Sequence, residues 1–216
     1  MFLTAIFNRQ LLIVICTLLC SMTIAAAEPV RIVALGDSLM AGYRLDAKYA
    51  FSVQLQIALR DKGHDVIVSN AGVSGDTAAG GLARLDWSVP EGTHAVILEL
   101  GANDALRGHD PVKTYEALTK IVAKLKDRGI AVLIAGMRAP RNLGKDYVET
   151  FDRIYPYLAE HHNVLFYPFF LDGVAGVPDL NQGDGIHPTP EGIAEIVRRI
   201  IPSVESLIGL VRPAAG

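Results

Sequence analysis

Short runs of β-branched and other apolar residues alternate with longer stretches of helical periodicity along most of this sequence. This alternation is typical of parallel strands that are joined by crossover helices. The predicted strands are residues 31–35, 65–69, 95–100, 130–135 and 163–166. Because each run is nearly all apolar in its middle, we expect helices to cover both faces of the sheet. The sequence therefore predicts an α/β fold of three layers, α/β/α, around a parallel sheet of five strands.

Two helices carry apolar residues at the spacing i, i+3, i+4 and i+7, which places one apolar stripe on each helix. The first is predicted to end at Gly129, and the second to begin with Thr189 as N-cap, followed by Pro190 and Glu191. We interpret both stripes as core surfaces. They consist of Leu118, Ile121, Val122 and Leu125 in the first helix and of Ile193, Ile196, Val197 and Ile200 in the second.

The first 27 residues have the pattern of a secretory signal peptide. Arg9 is the only charged residue before Glu28, and an apolar run and three alanines at 25–27 follow it. A retained membrane anchor is the alternative, because residues 11–27 are uncharged over nearly the length that spans a bilayer. We expect cleavage after Ala27, export to the periplasm or the medium, and a single mature domain of residues 28–216 without a membrane anchor.

Cysteine content and charge exclude several classes of function. Both cysteines, Cys16 and Cys20, lie in the predicted signal peptide, so the mature domain would have no disulfide, zinc–cysteine site or thiol nucleophile. The chain has 20 Lys and Arg against 23 Asp and Glu, a net charge of −3, and no basic cluster. Because phosphate backbones are bound through clustered positive charge, we expect no nucleic-acid partner.

Four loops carry polar residues that are unusual for simple connections. In an open parallel sheet, ligands bind beyond the carboxyl ends of the strands, where three of these loops begin. The fourth lies in the long segment 167–188, which we expect to be functional because most connections in α/β domains are far shorter. The four sequences are Gly36-Asp37-Ser38-Leu39, Asn70-Ala71-Gly72-Val73-Ser74-Gly75-Asp76, Gly101-Ala102-Asn103-Asp104 and Asp184-Gly185-Ile186-His187-Pro188. Each could be a cap or a turn alone, but together they supply the groups that acyl transfer needs.

The roles follow from what each group can do. Ser38 is a weak nucleophile that needs a base, and the imidazole of His187 can accept a proton near neutral pH. Asp184, three residues earlier, can accept the Nδ1 proton of His187 and so fix its tautomer. The backbone N–H groups of Ser38 and Gly75 and the side-chain amide of Asn103 are candidate donors to an oxyanion. We interpret Asp37 as a structural acceptor that holds the turn.

The four sequences, in this order and spacing, resemble the signature blocks of the SGNH (GDSL) hydrolases over nearly the whole mature chain. They are similar in particular to the bacterial group of thioesterase I/protease I/lysophospholipase L1, which includes arylesterases. The resemblance assigns Ser38 as nucleophile, His187 and Asp184 as base and orienting acid, and Ser38, Gly75 and Asn103 as oxyanion donors. Ala102 departs from the pattern, since that group commonly has a second glycine there.

The resemblance also implies a flavodoxin-like sheet in the order 2-1-3-4-5 and hydrolysis of small acyl esters and thioesters without a metal or cofactor. Leu106 and the segment 137–147, with Pro140 and Leu143, match the position of that group's substrate-contacting loop. We therefore expect Leu106, Pro140 and Leu143 to bind substrate. We further expect the domain to be a monomer.

Two other functions stay open at this point. A carbohydrate acetylesterase of the same superfamily would use the same three side chains but would need a polar cleft for sugar, whereas Phe169, Phe170 and Leu143 favour an apolar groove. An inactive acyl-binding module would keep the fold without cleaving its ligand. Nucleotide-binding and metal-binding patterns are not present in the sequence, because no Walker or G-x-G-x-x-G motif occurs and the histidines lack ligand spacing.

Overall fold

The computed structural model describes residues 28–211 and contains one parallel sheet of five strands in the order β2-β1-β3-β4-β5. The predicted signal peptide lies outside the described residues. The strands are β1 (Val30–Gly36), β2 (Val66–Gly72), β3 (Ala95–Leu98), β4 (Ala131–Ala135) and β5 (Leu165–Tyr167). The predicted sheet order is confirmed, and each of the five predicted strands is present within a few residues of its expected bounds.

Nine α-helices and three short 3₁₀ segments lie in the part of the chain that the structure describes. The helices are α1 (Ser38–Ala41), α2 (Phe51–Asp61), α3 (Ala78–Ala83), α4 (Leu85–Ser88), α5 (Ala102–Leu106), α6 (Pro111–Asp127), α7 (Lys145–Asp152), α8 (Ile154–His162) and α9 (Pro190–Val211). The 3₁₀ segments are Ala47–Tyr49, Arg141–Leu143 and Pro178–Leu180.

Helices cover both faces of the sheet, as the apolar strands predict. Helices α2 and α9 pack together with β2, β4 and β5, whereas α3, α6 and α8 form the other packed group of helices. The apolar stripes of α6 and α9 are buried among them. Transfer of such side chains from water stabilises the fold by about 1.5–3 kcal/mol each. The three-layer α/β/α architecture is therefore confirmed.

The helix boundaries follow the predicted caps. Thr189 Oγ1 accepts a hydrogen bond from the backbone N–H of Gly192 at 3.2 Å, which caps the first turn of α9. At the end of α6, Gly129 has φ +71°, and the N–H of Ile130 donates to the carbonyl of Leu125. A left-handed glycine of this kind ends a helix at little steric cost.

Strand β2 is longer than the sequence predicts. Residues 70–72 were expected in a loop, but Gly72 pairs with Gly36 at the end of β1. The backbone of Ala41, in α1, lies so close that a Cβ on residue 72 would be 2.2 Å from the Ala41 nitrogen. Glycine lets the helix pack directly against the strand end. This close packing could not be seen in the local pattern of apolar residues.

Candidate active site

The first predicted block forms a tight turn between β1 and α1. Asp37 is fully buried, and its Oδ1 accepts a hydrogen bond from the Leu39 N–H at 3.0 Å, so it caps α1. Gly36 permits this turn because a Cβ there would be 2.4 Å from Met40 Cγ and 2.5 Å from Glu99 Oε2. Asp37 is thus an acceptor within the turn, and Ser38 is the first residue of α1.

Ser38, His187 and Asp184 form a continuous chain of hydrogen bonds. The Ser38 Oγ lies 2.8 Å from His187 Nε2, across 149 residues of sequence. The other ring nitrogen, Nδ1, lies 2.8 Å from Asp184 Oδ2. Because a carboxylate only accepts, Nδ1 carries the proton and Nε2 is free to accept from the serine hydroxyl. This arrangement allows the imidazole to remove the hydroxyl proton.

Asp184 is held in place by the turn that it shares with His187. Its Oδ1 accepts the backbone N–H groups of Ile186 and His187, both at 3.0 Å. Hydrogen bonds from the backbone and side chain of His187, followed by that from Ile186, hold the pKa of Asp184 well below its ordinary value. The carboxylate therefore stays charged and acts only as an acceptor at neutral pH.

The segment that carries His187 is fastened to the turn after α1. Gln182 Nε2 donates to the carbonyls of Tyr43 at 2.9 Å and Pro188 at 3.0 Å. The backbone N–H of Gln182 also donates to the carbonyl of His187 at 2.7 Å. The ring of Tyr43 lies 4.4 Å from the imidazole, centroid to centroid. Gln182 and Tyr43 thus position the histidine, although neither belongs to the four polar blocks of the sequence.

The three candidate oxyanion donors lie on three neighbouring loops. Ser38 follows β1, Gly75 lies in the turn after β2 with φ +86°, and Asn103 lies in α5 after β3. All three line the same cavity. Asn103 Nδ2 donates one proton to Asp37 Oδ2 at 3.0 Å, which leaves its second amide proton available. This hydrogen bond fixes the orientation of the Asn103 amide, with its nitrogen facing Asp37, which also lines the cavity.

A cavity of about 790 Å³ adjoins Ser38 and His187. Leu106 and Pro140 line it, as the resemblance implies, but Leu143 does not. Leu143 ends the 3₁₀ segment Arg141–Leu143, where its N–H donates to the Pro140 carbonyl, and of residues 140–143 Pro140 and Arg141 reach the lining. The apolar lining residues include Leu39, Leu106, Met137, Ala139, Pro140, Phe169, Leu171, Ala175 and Ile186.

The two phenylalanines after β5 lie in different environments. Phe169 lines the cavity and carries the guanidinium of Arg138 over its ring, 4.7 Å from the centroid. Phe170, which the sequence placed near the same opening, is fully buried and packs edge-on against Phe51 at 5.1 Å. The prediction for Phe170 was therefore wrong: adjacent residues of this irregular segment point in different directions, one toward the cavity and one toward the core.

Comparison with known proteins identifies the family. Residues 34–194 match the GDSL-like lipase/acylhydrolase family, and these residues include all four polar blocks. The chain belongs to the GDSL-like lipase/acylhydrolase family. It is therefore a hydrolase, and the predicted resemblance to SGNH hydrolases is confirmed.

Individual members of the family match most of the chain. Esterase TesA of Pseudomonas aeruginosa is 39% identical over 201 residues, 93% of this chain and 100% of that protein. Thioesterase 1/protease 1/lysophospholipase L1 of Escherichia coli K12 is 40% identical over 168 residues, 77% of this chain and 79% of that protein. A crystal structure of TesA superimposes with a TM-score of 0.78 and 38% identity, covering 82% of this chain and 99% of that one.

A pair of buried acids lies beneath the turn that carries Ser38 in this hydrolase. Glu99 is fully buried at the end of β3, and its Oε2 accepts the Asp37 N–H at 3.4 Å. Burial raises the pKa of Asp37 to about 6, against the lowering effect of its hydrogen bonds from Leu39 and Asn103. Burial, with the nearby charge of Asp37, raises the pKa of Glu99 well above its ordinary value. Burial therefore favours the neutral, protonated form of Glu99, whereas the hydrogen bonds from Leu39 and Asn103 favour the charged form of Asp37.

Within residues 28–211, no three His, Cys, Asp or Glu side chains form a group that could hold a metal ion. No helix in the same range is long and apolar enough to cross a membrane. His161 and His162 lie at the end of α8, the former exposed, as expected for a solvated helix terminus.

Proposed function

We propose that this hydrolase cleaves acyl esters and thioesters through an acyl-enzyme formed on Ser38. The observation that carries the proposal is the hydrogen-bonded chain Ser38–His187–Asp184 beside a mostly apolar cavity, with 2.8 Å at each step. The names of the relatives support the substrate class, since one is an esterase and another a thioesterase and lysophospholipase.

In the first half-reaction, His187 Nε2 accepts the hydroxyl proton as Ser38 Oγ bonds to the acyl carbon. The electron pair of the carbonyl moves to its oxygen, which accepts hydrogen bonds from the N–H groups of Ser38 and Gly75 and the amide of Asn103. The carbonyl re-forms as the bond to the leaving oxygen or sulfur breaks. His187 then donates its proton to the departing alcohol or thiol, and the acyl group remains as an ester on Ser38.

In the second half-reaction, His187 takes a proton from water, and the resulting oxygen nucleophile attacks the acyl carbon of the Ser38 ester. The same donors stabilise the second oxyanion. The bond between the acyl carbon and Ser38 Oγ breaks, and the serine recovers its proton from His187. The net change is one water consumed for each carboxylic acid and each alcohol or thiol released.

Asp184 and Asp37 support opposite ends of this chemistry. Asp184 accepts from Nδ1 and stabilises the imidazolium that forms while His187 holds the second proton. Asp37 accepts from Asn103, so the amide cannot rotate to present its oxygen to the developing negative charge. Both interactions exist before substrate binds, which is the condition under which such dipoles lower a barrier most effectively.

The cavity favours an acyl group over a sugar. Leu106, Pro140 and Phe169 line it with other apolar side chains, and its volume of about 790 Å³ lies in the range of pockets for drug-sized ligands. A carbohydrate acetylesterase would need several polar groups to replace the water around sugar hydroxyls. We therefore propose Leu106 and Pro140 as acyl-contacting residues and keep the acetylesterase as the alternative.

A fluorophosphonate probe and a substrate panel test this function. We expect one covalent adduct, located at Ser38 by peptide mass spectrometry, and no adduct in Ser38→Ala. Hydrolysis of p-nitrophenyl butyrate and decanoate and of an acyl thioester should exceed release of acetate from acetylated xylan. An adduct at another residue, or activity retained by Ser38→Ala, would contradict the mechanism; preferential deacetylation of xylan would favour the alternative substrate.

We also propose export and a monomeric mature domain. The charge, apolar run and alanines of residues 1–27 support cleavage after Ala27. Expression of the full chain in a bacterial host, followed by intact-mass measurement of the exported protein, should give a chain that begins at Glu28. A retained N-terminus in the membrane fraction would instead support the anchor, and light scattering of the released protein would give its oligomeric state.

A further inference from the structure

Arg84, between α3 and α4, connects several parts of the backbone near the active site. Its side chain is 15% exposed. Among the described residues it donates to four acceptors. These are Asp76 Oδ2 at 2.5 Å, the Ala71 carbonyl at 2.9 Å, Ser88 Oγ at 2.8 Å and the Gly36 carbonyl at 2.9 Å. One planar guanidinium therefore satisfies acceptors from three separate segments.

Three of these acceptors adjoin the candidate oxyanion donors. Gly36 is the last residue of β1, two residues before Ser38, and Ala71 lies at the end of the neighbouring strand β2. Asp76 directly follows Gly75. Arg84 thus links the strand end that carries the nucleophile to the turn that carries a second N–H donor, whereas Ser88 lies in α4, away from both.

The turn that contains Gly75 has little freedom once its ends are held. The Val73 N–H donates to the same Gly36 carbonyl at 3.1 Å, and the Asp76 N–H closes the turn on the Val73 carbonyl at 3.1 Å. Arg107 Nη2 donates to the Gly75 carbonyl at 2.9 Å. These bonds hold the turn through its backbone. The ion pair between Asp76 and Arg84 holds the end of the same turn through a side chain.

We propose that Arg84 is a positioning residue that sets the distance between the Ser38 and Gly75 N–H donors of the oxyanion site. This inference rests on the proposed function. Arg84 does not line the cavity, so it acts through Gly36 and Asp76 rather than on substrate. A guanidinium suits this task because its donors point in fixed directions in one plane, whereas a lysine ammonium is a point charge that cannot reproduce them.

The test compares Arg84→Lys with Ser88→Ala. Lysine keeps the positive charge beside Asp76 but cannot reach all the carbonyls, and a displacement of about 1 Å in such a site costs up to about 100-fold in rate. We expect kcat for p-nitrophenyl butyrate to fall about 10 to 100-fold with KM nearly unchanged. The rate of fluorophosphonate labelling should fall in parallel, since its phosphoryl oxygen occupies the oxyanion site. Ser88→Ala removes only the bond to α4, so its kcat should stay at the wild-type value.

Urea unfolding of each variant separates positioning from stability. If Arg84→Lys lowers the free energy of unfolding while kcat and the labelling rate stay unchanged, the residue is merely structural and the proposal fails. A change in KM alone would also contradict it.

If Arg84→Lys does not fold, Asp76→Asn tests the same link with Arg84 in place: we expect a smaller loss of kcat at constant KM, and an unchanged kcat overturns the proposal. If the wild-type protein forms no fluorophosphonate adduct at Ser38, the result contradicts the proposed function instead.

Discussion

Two aspartates adjoin the candidate active site, and their surroundings shift their pKa values in opposite directions. Asp184 lies on the last loop with its side chain 28% exposed, and it accepts three N–H groups from Ile186 and His187. Asp37 is fully buried next to Ser38, accepts two N–H groups, and lies against Glu99. The pKa falls well below its ordinary value at Asp184 and rises to about 6 at Asp37.

The difference follows from the balance between hydrogen bonding and loss of water. Donors stabilise a carboxylate at both positions, but only at Asp37 is the group fully removed from solvent, and there the cost of burial is larger than the gain. The loop can therefore hold a permanent charge beside His187 at little cost. The turn before α1 holds the charge of Asp37, which burial makes less stable and which is needed to orient Asn103. Substitutions at the two positions should separate these effects.

The largest expected effect is that of Asp184→Asn. An asparagine would present N–H groups to His187 Nδ1, so the ring would place its proton on Nε2, which could no longer accept from Ser38. We expect kcat for ester hydrolysis to fall on the order of 10⁴-fold, as is typical when the orienting acid of such a triad becomes an amide. Steady-state kinetics with p-nitrophenyl butyrate measure the loss.

A matched control for this substitution is Asp179→Asn, in the 3₁₀ segment of the same loop. It changes the charge of the loop equally but does not adjoin His187, so kcat should remain within about twofold of wild type. A loss of less than tenfold in Asp184→Asn would mean that other contacts of the imidazole, such as that with the Tyr43 ring, set its orientation and tautomer without the carboxylate.

Asn103→Ala should have the next largest effect. The substitution removes one oxyanion donor, and loss of a single donor of this kind typically costs about 10² to 10³-fold in kcat. It also removes a hydrogen bond from the buried charge of Asp37, so the free energy of unfolding at neutral pH should fall by about 1–3 kcal/mol. Kinetics and urea unfolding of the same preparation measure the two effects.

Asn142→Ala, at an exposed residue of the segment Arg141–Leu143, is the control for this variant. It should change neither kcat nor stability appreciably. If Asn103→Ala keeps wild-type kcat but loses stability, Asn103 serves the buried charge of Asp37 alone, and the two backbone N–H groups are sufficient for the oxyanion.

Much of the fold could be predicted from the sequence because the strands are apolar on both faces and the caps are local. Thr189 and Gly129 mark helix ends by their own side-chain or backbone properties. The end of β2 could not be predicted in this way, since it depends on how closely Ala41 approaches Gly72. Contacts between distant segments leave no periodic signal along the chain.

The candidate active site shows the same contrast between features that are local in the sequence and contacts that form only in the folded chain. Ser38, Asp184 and His187 were recognised by chemical type and spacing, and the structure brings them within hydrogen-bond distance of one another. The residues that hold them in place were missed. Arg84 and Gln182 have ordinary side chains in ordinary contexts, and their importance arises from carbonyl groups that only the folded backbone places around them.

The smallest expected effect concerns stability and pH in Asp37→Asn. With a folded pKa of about 6 against an ordinary value of 3.8, folded Asp37 binds more protons than the unfolded chain between these two values. The free energy of unfolding therefore falls as the pH rises through this window, by up to about 3 kcal/mol for this group. Asparagine caps a helix as well as aspartate does but does not titrate, so the variant should lose the part of the decline that Asp37 contributes, while the raised pKa of Glu99 leaves a remainder of the same sign. Urea unfolding between pH 4 and about pH 6.5 measures the slope.

Asp184→Asn provides the control in the same pH window. The pKa of Asp184 is lowered, so its contribution to stability is complete above 3.8 and is lost only as the pH falls further. Its substitution should therefore leave the slope between pH 4 and about pH 6.5 as in wild type. If Asp37→Asn retains the full wild-type slope, the proton taken up in this window is bound elsewhere, with Glu99 as the nearest buried group, and Glu99→Gln should then remove the slope. Burial would in that case raise the pKa of Glu99 alone, and Asp37 would resemble Asp184 in carrying a stable charge.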